Sequence, residues 1–221
     1  AYRENSSWDA FKIAMDANPT TPLFDPENPN LYSDFTGQEA LWNPVEELKL
    51  EQNGGETKLL DWDATVKLNL LPLLAKDGHS IHSLSTQLTF ADQQSDNFDY
   101  WFRPSTSRLA MKNDYKGEAS RTYSKYRQHS LEWLGNYAME LKGHRARAMV
   151  GYSYQYFQNS GLNAANKDFS SDGLLYNNLG SGEWAKEEGR NEMGTNKSDS
   201  KLIAFFGRLS YDYKNRYLMT A

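Results

Sequence analysis

Apolar and polar side chains alternate regularly between Leu60 and Leu70. The even positions are apolar and the odd positions are polar, in the order Leu-Asp-Trp-Asp-Ala-Thr-Val-Lys-Leu-Asn-Leu. Successive side chains of a β-strand point to opposite faces, so this pattern predicts a strand with one apolar and one polar face. Its length matches the roughly 9–11 residues with which a tilted strand crosses a bilayer.

The alternation recurs in four further stretches, namely Ile81 to Phe90, Leu131 to Leu141, Ala146 to Tyr156 and Ile203 to Tyr213. In the third of these the apolar face changes from alanine and valine to tyrosine, as in the aromatic girdle of a membrane barrel. We predict antiparallel strands near residues 58–71, 80–91, 120–142, 144–158 and 201–213, with another beginning near Tyr217.

The connections between these strands alternate in length. Residues 72–80, 142–144 and 214–216 form short connections, whereas 91–120 and 159–200 form long polar ones. Barrels of the outer membrane have short periplasmic turns and long outer loops, and a soluble sandwich does not need that order. Residues 1–57 have the character of another long loop, in which Ser7 to Ala17 predicts a short helix ended by Asn18-Pro19.

Composition narrows the possible functions. The chain of 221 residues is 38% hydrophobic and 14% aromatic, with a net charge of −5. These values suit a β-sheet with one apolar face. The basic residues are scattered and form no continuous surface that would bind nucleic acid. The chain has no cysteine, which excludes disulfides and thiol chemistry. Its apolar runs are all far shorter than the roughly 18 residues of a membrane helix.

Three segments resemble outer-membrane proteins of the SusC/RagA type, which are TonB-dependent importers. They are Asn18–Pro26, Asp168–Phe169 together with Asp172–Gly180, and Phe205–Leu218. Their order and spacing also resemble the family. The resemblance implies an all-β fold, an antiparallel transmembrane β-barrel of about 22 strands around an N-terminal plug, with long extracellular loops.

The resemblance also implies partners and a location. Such proteins lie in the bacterial outer membrane, import oligosaccharides or peptides with a SusD-like surface lipoprotein, and draw energy from TonB; no cofactor is implied. We interpret residues 1–57 as a long extracellular loop and residues 58–221 as about five to six strands, with the plug domain and its TonB contact absent. We expect this partial barrel, with two unpaired edges, to be unstable as a soluble monomer.

One local group of residues suggests ligand contact. Tyr100, Trp101 and Phe102 stand beside Asp96 and Asp99 in the predicted long loop 91–120. Aromatic faces stack on sugar rings and carboxylates accept hydrogen bonds from hydroxyl groups, so these five residues form a candidate ligand-binding set. The alternative is that the rings pack this loop onto neighbouring loops or onto the lipoprotein.

Other motifs are weaker. His79 and His82 have a spacing that suits a metal only on a helix, and no third ligand is evident. Asp168, Ser170 and Asp172 alternate as in a calcium loop, but Asn177 stands where a bidentate glutamate belongs. Asp61 and Asp63 could be a carboxylate pair, although solvated acidic residues are ordinary inside a barrel. We expect neither a metal site nor a catalytic site.

Two further readings remain open, a soluble β-sandwich that binds carbohydrate and, more weakly, a glycan hydrolase. The membrane reading makes a specific prediction about side chains. The following residues share the apolar faces of their strands and are expected to contact lipid: Trp62, Val66, Leu68, Trp133, Tyr137, Val150 and Phe205.

Overall fold

The protein is described by a computed structural model that covers residues 2–4, 8–34, 42–70 and 81–221. Its residues group into two compact units. Unit 1 contains Ala1–Lys58, Asp96–Lys125 and Ser160–Lys197, and unit 2 contains Leu59–Ser95, Tyr126–Asn159 and Ser198–Ala221. The long strands contribute residues to both units.

Within the described residues, seven strands form one sheet in which each strand pairs with its neighbours in sequence. The strands are β1 (Tyr2–Glu4), β2 (Gln52–Asn69), β3 (Ile81–Arg103), β4 (Glu118–Leu141), β5 (His144–Lys167), β6 (Met193–Tyr213) and β7 (Tyr217–Thr220). Pairing is antiparallel, with Tyr2 opposite Glu56 in β1–β2 and Tyr211 opposite Met219 in β6–β7. The prediction of an all-β antiparallel fold is confirmed.

Three short α-helices accompany the sheet, namely α1 (Trp8–Asp16), α2 (Pro44–Leu50) and α3 (Arg108–Lys112). The helix predicted from Ser7 to Ala17 is confirmed as α1, while α2 and α3 were not predicted. In α2, Pro44 occupies the first turn and the Asn43 side chain accepts hydrogen bonds from the backbone nitrogens of Val45 and Glu46. Among the described residues, no helix has the length and apolar character needed to cross a bilayer.

Two tight turns connect the strands of unit 2. Lys142 and Gly143 join β4 to β5 with φ values of 47° and 88°, and Lys214 to Arg216 join β6 to β7 with φ values of 53° and 56° at Lys214 and Asn215. Paired positive φ values match the right-handed twist of flanking strands in hairpins. The short connections predicted at 142–144 and 214–216 are confirmed, and the one predicted at 72–80 lies outside the described residues.

The strands extend further than predicted, and the predicted long loops are correspondingly shorter. β2 begins at Gln52, β3 continues to Arg103, β5 continues to Lys167, and β6 begins at Met193. The predictions that residues 52–57, 91–103, 159–167 and 193–200 belong to loops are therefore wrong. In these stretches neither face is consistently apolar, so the alternating signal disappears while backbone pairing continues.

Unit 2 has an apolar face and a polar face. On the apolar face the ring centroids of Trp62 and Phe90 are 5.4 Å apart, and those of Tyr152 and Phe205 are 5.2 Å apart. On the polar face the hydroxyl oxygens of Thr65 and Thr89 are 3.0 Å apart. All residues predicted to contact lipid have exposed side chains: Trp62, Val66, Leu68, Trp133, Tyr137, Val150 and Phe205.

Unit 1 contains a small hydrophobic core. Phe102 of β3, Ala119 of β4 and Phe169 are buried together, and the connection between β5 and β6 packs Leu175, Tyr176 and Leu179 against them. Burying a phenylalanine side chain contributes roughly 1.5–3 kcal/mol. This core joins the end of the sheet in unit 1 to the connection that follows β5.

Candidate functional site

The five candidate ligand residues lie on the last part of β3, in unit 1, and not in a loop as predicted. Because strand side chains alternate, Asp99 and Trp101 point to one side of β3 while Asp96, Tyr100 and Phe102 point to the other. The five residues therefore cannot all meet one ligand. Sequence reasoning grouped them because it placed them in an irregular segment.

Asp99 and Trp101 belong to what we call the ionic face of unit 1, formed with Glu51, Arg103, Glu118 and Lys167. The indole nitrogen of Trp101 donates a hydrogen bond of 2.7 Å to the Glu51 carboxylate, and Arg103 Nε donates another of 2.7 Å to the same group. The Arg103 guanidinium also lies 4.8 Å from the centre of the Trp101 ring. Trp101 is thus held by a charged network and is only half-buried.

The network continues across the sheet through alternating charges. Arg103 Nη1 is 3.4 Å from a Glu118 oxygen, and Lys167 Nζ is 3.2 Å from the other Glu118 oxygen. Lys167 also lies 3.6 Å from Glu192, close to the start of β6. Ions of opposite sign follow one another from the residue before β2 to the residue before β6. Such a chain of ion pairs links neighbouring strands, and its three carboxylates and two cations leave a formal net charge of −1.

Burial has a measurable consequence at Glu51. The side chains of Glu51 and Arg103 are only 7% and 12% exposed, respectively. Removal from water raises the pKa of the Glu51 carboxyl above its ordinary value of 4.5, and the nearby Arg103 and Trp101 offset only part of this effect. Glu46 of α2 is also buried, and desolvation likewise raises its pKa.

Asp99 lies where two strands approach closely. A Cβ atom at position 55 would fall 2.3 Å from Asp99 Oδ1 and 2.9 Å from the carbonyl oxygen of Phe98. Only glycine fits at position 55 without displacing β3. Gly55 therefore leaves room for the Asp99 carboxylate beside β2.

The other three candidate residues lie on what we call the aromatic face of unit 1. Tyr100 stacks on Tyr176 with ring centroids 3.9 Å apart, and the Arg121 guanidinium lies 5.5 Å from the Tyr176 ring. Phe102 is buried in the core, so its ring is not presented to a ligand. Tyr100 and Phe102 thus fit the packing alternative, since both rings contact the connection after β5.

Asp96 has partners on the same face. Its carboxylate accepts a hydrogen bond of 3.2 Å from the Tyr123 hydroxyl and lies 3.4 Å from Lys125 Nζ. These contacts join β3 to β4 near the end of unit 1. A ligand would have to displace or share them.

The segment considered as a calcium loop has another role. The Asp172 carboxylate accepts hydrogen bonds from the backbone nitrogen of Ser105 at 3.1 Å and from its hydroxyl at 2.8 Å. The Asp168 carboxylate accepts a hydrogen bond from the backbone nitrogen of Lys116 at 2.9 Å. Both carboxylates thus tie the connection after β5 to the connection after β3.

Asn166, which the sequence suggested only as the first residue of a calcium-like loop, organises the same connection. Its side-chain nitrogen donates to the carbonyl oxygens of Leu179 and Gly182 at 2.8 and 2.9 Å. Its side-chain oxygen accepts from the backbone nitrogens of Lys167 and Ala185 at 2.8 and 3.0 Å. One buried amide therefore satisfies four backbone groups, as buried polar groups require.

Arg108 at the start of α3 fixes the segment that precedes α2. Its Nε donates to the carbonyl oxygen of Tyr32 at 2.9 Å, and its guanidinium pairs with Asp25. The Glu46 carboxylate accepts from the Arg108 backbone nitrogen. The Asn18–Pro26 segment, one of the three that resemble the SusC/RagA family, thus contains a residue, Asp25, that is paired with the connection after β3.

The remaining candidates are not assembled into a reactive centre. Asp61 and Asp63 are exposed on β2, and His82 lies 2.8 Å from the Tyr137 hydroxyl, whereas His79 is outside the described residues. The described part of the chain contains no cluster of three potential metal ligands. The side chains of unit 1 are arranged to bind a ligand and to hold the connections after β3 and β5 in place.

Comparison with known proteins agrees with this architecture. No protein-family model matches the chain. A TonB-dependent receptor P3 of Formosa agariphila is 28% identical over 104 residues, which are 47% of this chain and 10% of the receptor. The chain thus spans about a tenth of the curated relative that it matches.

Solved structures give a broader match. The superposition on the RagAB peptide transporter covers 86% of this chain and 20% of the transporter chain, with a TM-score of 0.59 and 15% identity. The superposition on the RagAB peptide importer in its closed-closed state covers 90% of this chain and 20% of the importer chain, with a TM-score of 0.60 and 14% identity.

The fold is therefore that of a strand segment of an outer-membrane transport barrel. Together with the receptor match, the superpositions confirm the resemblance of this chain to TonB-dependent receptors of the SusC/RagA type. They also support the predicted location in the bacterial outer membrane. The matched proteins carry the names of receptors and transporters, not of enzymes.

Proposed function

We propose that this chain is part of a TonB-dependent outer-membrane transporter that imports oligosaccharides or peptides together with a SusD-like surface lipoprotein. One observation carries the proposal. The described strands follow each other in sequence order across one sheet that superposes on the RagAB transporter over most of this chain. An up-and-down sheet with one apolar face is the element from which such barrels are built.

The apolar face of unit 2 supports contact with lipid. Val66 is 60% exposed and Phe205 is 80% exposed, although both are side chains that soluble proteins usually bury. Their strands carry polar side chains on the opposite face. We infer that the apolar face contacts the membrane and that the polar face lines the interior of the barrel.

Unit 1 supports the contacts with ligand and lipoprotein. We propose that Asp99 and Trp101 contact the ligand, because both side chains are half-buried on the ionic face. Asp96 and Tyr100 lie on the aromatic face, where contact with the lipoprotein is the better fit. The connections 104–117 and 168–192, which are tied together by Asp172 and Ser105, are the proposed docking surface.

The proposed ligands are peptides or oligosaccharides, and the proposal includes no catalytic step. RagAB is a peptide transporter, which favours a peptide as the ligand of this chain. Energy transfer from TonB is assigned to a plug domain outside this sequence. A soluble carbohydrate-binding sandwich is the less suitable alternative, because the described strands form one sheet and a sandwich requires two.

The test compares a bacterium with and without the gene that encodes this chain. We expect the deletion strain to lose growth on either peptides or oligosaccharides as the sole carbon source, and the intact gene to restore it. A surface lipoprotein should purify with the receptor from detergent extracts. Unchanged growth on both nutrient classes, or recovery of the protein from the aqueous fraction without detergent, would contradict the proposal.

A further inference from the structure

The polar face of unit 2 contains a shallow cavity of about 340 Å³. Strands β3 to β6 all contribute to its lining, which includes Ser83, Asn136, Arg147, Arg208 and Ser210. Arg147 lies on β5 and Arg208 on β6, so two neighbouring strands each present one guanidinium group. The other polar groups of the lining are neutral donors and acceptors.

The charges in this cavity are unbalanced. Within the part of the chain that the structure describes, neither Arg147 nor Arg208 has an ion pair or a side-chain hydrogen bond, and no carboxylate lines the cavity. The nearby Arg145 differs, because it lies 3.5 Å from Glu140 and 3.7 Å from Asp212. Glu140 and Asp212 thus lie near Arg145, while Arg147 and Arg208 share a cavity in which the described residues supply no carboxylate.

A carboxylate is the group that best fits this arrangement. A guanidinium presents parallel N–H donors that match the two oxygens of a carboxylate, and two such groups can bind one anion from two sides. Ser83, Ser210 and Asn136 can add neutral hydrogen bonds to the same group. A neutral ligand would form no charge-assisted hydrogen bond with either guanidinium group.

We propose that Arg147 and Arg208 form a subsite for a carboxylate of the imported ligand. The proposal rests on the proposed function, because it assigns the polar face to the passage through the barrel. It specifies the substrate class further, since it selects ligands that carry acidic groups, such as acidic peptides or uronic acid oligosaccharides. A single carboxylate is the chemistry common to both.

The first test measures the reactivity of individual arginines in the full-length receptor in detergent. Phenylglyoxal modifies accessible guanidinium groups, and mass spectrometry then quantifies each site. We expect Arg147 and Arg208 to react faster than Arg145, which is paired. Acetyl-Asp-Asp-Asp should slow their modification by about ten-fold, as one charge-assisted hydrogen bond implies, whereas acetyl-Asn-Asn-Asn amide should not.

Two outcomes would overturn the proposal. If Arg147 and Arg208 are unreactive without any peptide, another part of the receptor covers the cavity and supplies the counter-ion. If both peptides protect equally, the cavity does not recognise carboxylates. Failure of the proposed function is a separate result, because it appears as unchanged growth of the deletion strain and leaves these binding measurements intact.

The second test uses variants of the full-length receptor. Arg147→Gln and Arg208→Gln should each raise the dissociation constant for acetyl-Asp-Asp-Asp by about ten-fold. Arg216→Gln, which changes an exposed arginine in the β6–β7 turn, is the matched control and should leave it unchanged. Thermal unfolding verifies that the variants are folded. Equal affinity of all variants, measured on folded protein, would refute the subsite.

Discussion

Replacing Asn166 with alanine should release the connection between β5 and β6 without unfolding the sheet. The Asn166 amide makes four hydrogen bonds of 2.8–3.0 Å to backbone groups of Lys167, Leu179, Gly182 and Ala185. A neutral hydrogen bond contributes about 0.5–1.5 kcal/mol net, so four would contribute about 2–6 kcal/mol. Water can reach part of this half-exposed connection, and we expect a local loss of about 2–4 kcal/mol.

Hydrogen–deuterium exchange of the full-length receptor is the appropriate assay. A loss of about 2–4 kcal/mol in local opening corresponds to about 30- to 700-fold faster exchange at the amide of Ala185. Asn178→Ala is the matched control, because Asn178 lies in the same connection with an exposed side chain. Amides in the β6–β7 hairpin should keep their exchange rates in both variants.

Two results would refute this reasoning. Equal exchange at Ala185 in the Asn166 and Asn178 variants would mean that the buried amide does not hold the connection. Faster exchange throughout the sheet would mean that Asn166 supports the whole fold. Either result would separate the docking of this connection from the four hydrogen bonds that we assign to it.

Further predictions concern the membrane face, the buried carboxyls and the core. Val66→Arg should cost about 2–4 kcal/mol of folding stability in lipid, and Thr65→Arg on the polar face much less, as urea titrations in lipid vesicles would show. The pKa values of Glu46 and Glu51 are raised, so their protonation stabilises unit 1 below the ordinary value of 4.5, and this contribution is lost as the pH rises through the raised values. Thermal unfolding should therefore become less dependent on pH above 4.5 in the double variant Glu46→Gln/Glu51→Gln, and an unchanged profile would contradict the assignment. Phe102→Ala should destabilise unit 1 by about 3–5 kcal/mol, whereas Phe206→Ala, with its partly exposed ring on β6, should cost less in the same denaturant titration.

The sequence was sufficient to predict the strands wherever one face is apolar. Leu60 to Leu70 shows this most clearly, because its even positions are all apolar and the structure places residues 60–69 in strand β2. The same reasoning failed from Asp92 to Arg103, where both faces of β3 are polar or mixed. Side-chain alternation reports the surroundings of a strand, and backbone pairing does not depend on it.

Helix α2 could have been found from local signals. Asn43 is a favourable capping residue, Pro44 suits the first turn, and Glu46 and Glu47 follow in that turn. Its short length and the prolines before it concealed the pattern. Helix α3 has only five residues, and the Ser107 side chain at its capping position makes no capping hydrogen bond.

The organisation of unit 1 could not be predicted from local sequence. Glu51 and Arg103 meet only because β2 and β3 pair in one register, and Asp172 meets Ser105 only because two connections dock. The five candidate ligand residues illustrate the same limit. Their types suggested a common binding role, whereas the strand that carries them directs neighbouring side chains to opposite faces.

The sequential order of the sheet has an evolutionary consequence. Because each strand pairs only with its neighbours in the chain, a hairpin such as β6–β7 can be duplicated or lost without rethreading the others. Connections such as residues 168–192 can diverge in sequence while the strands of the sheet are conserved. Relatives of this chain should therefore differ most in the segments between strands and least in the lengths of the strands.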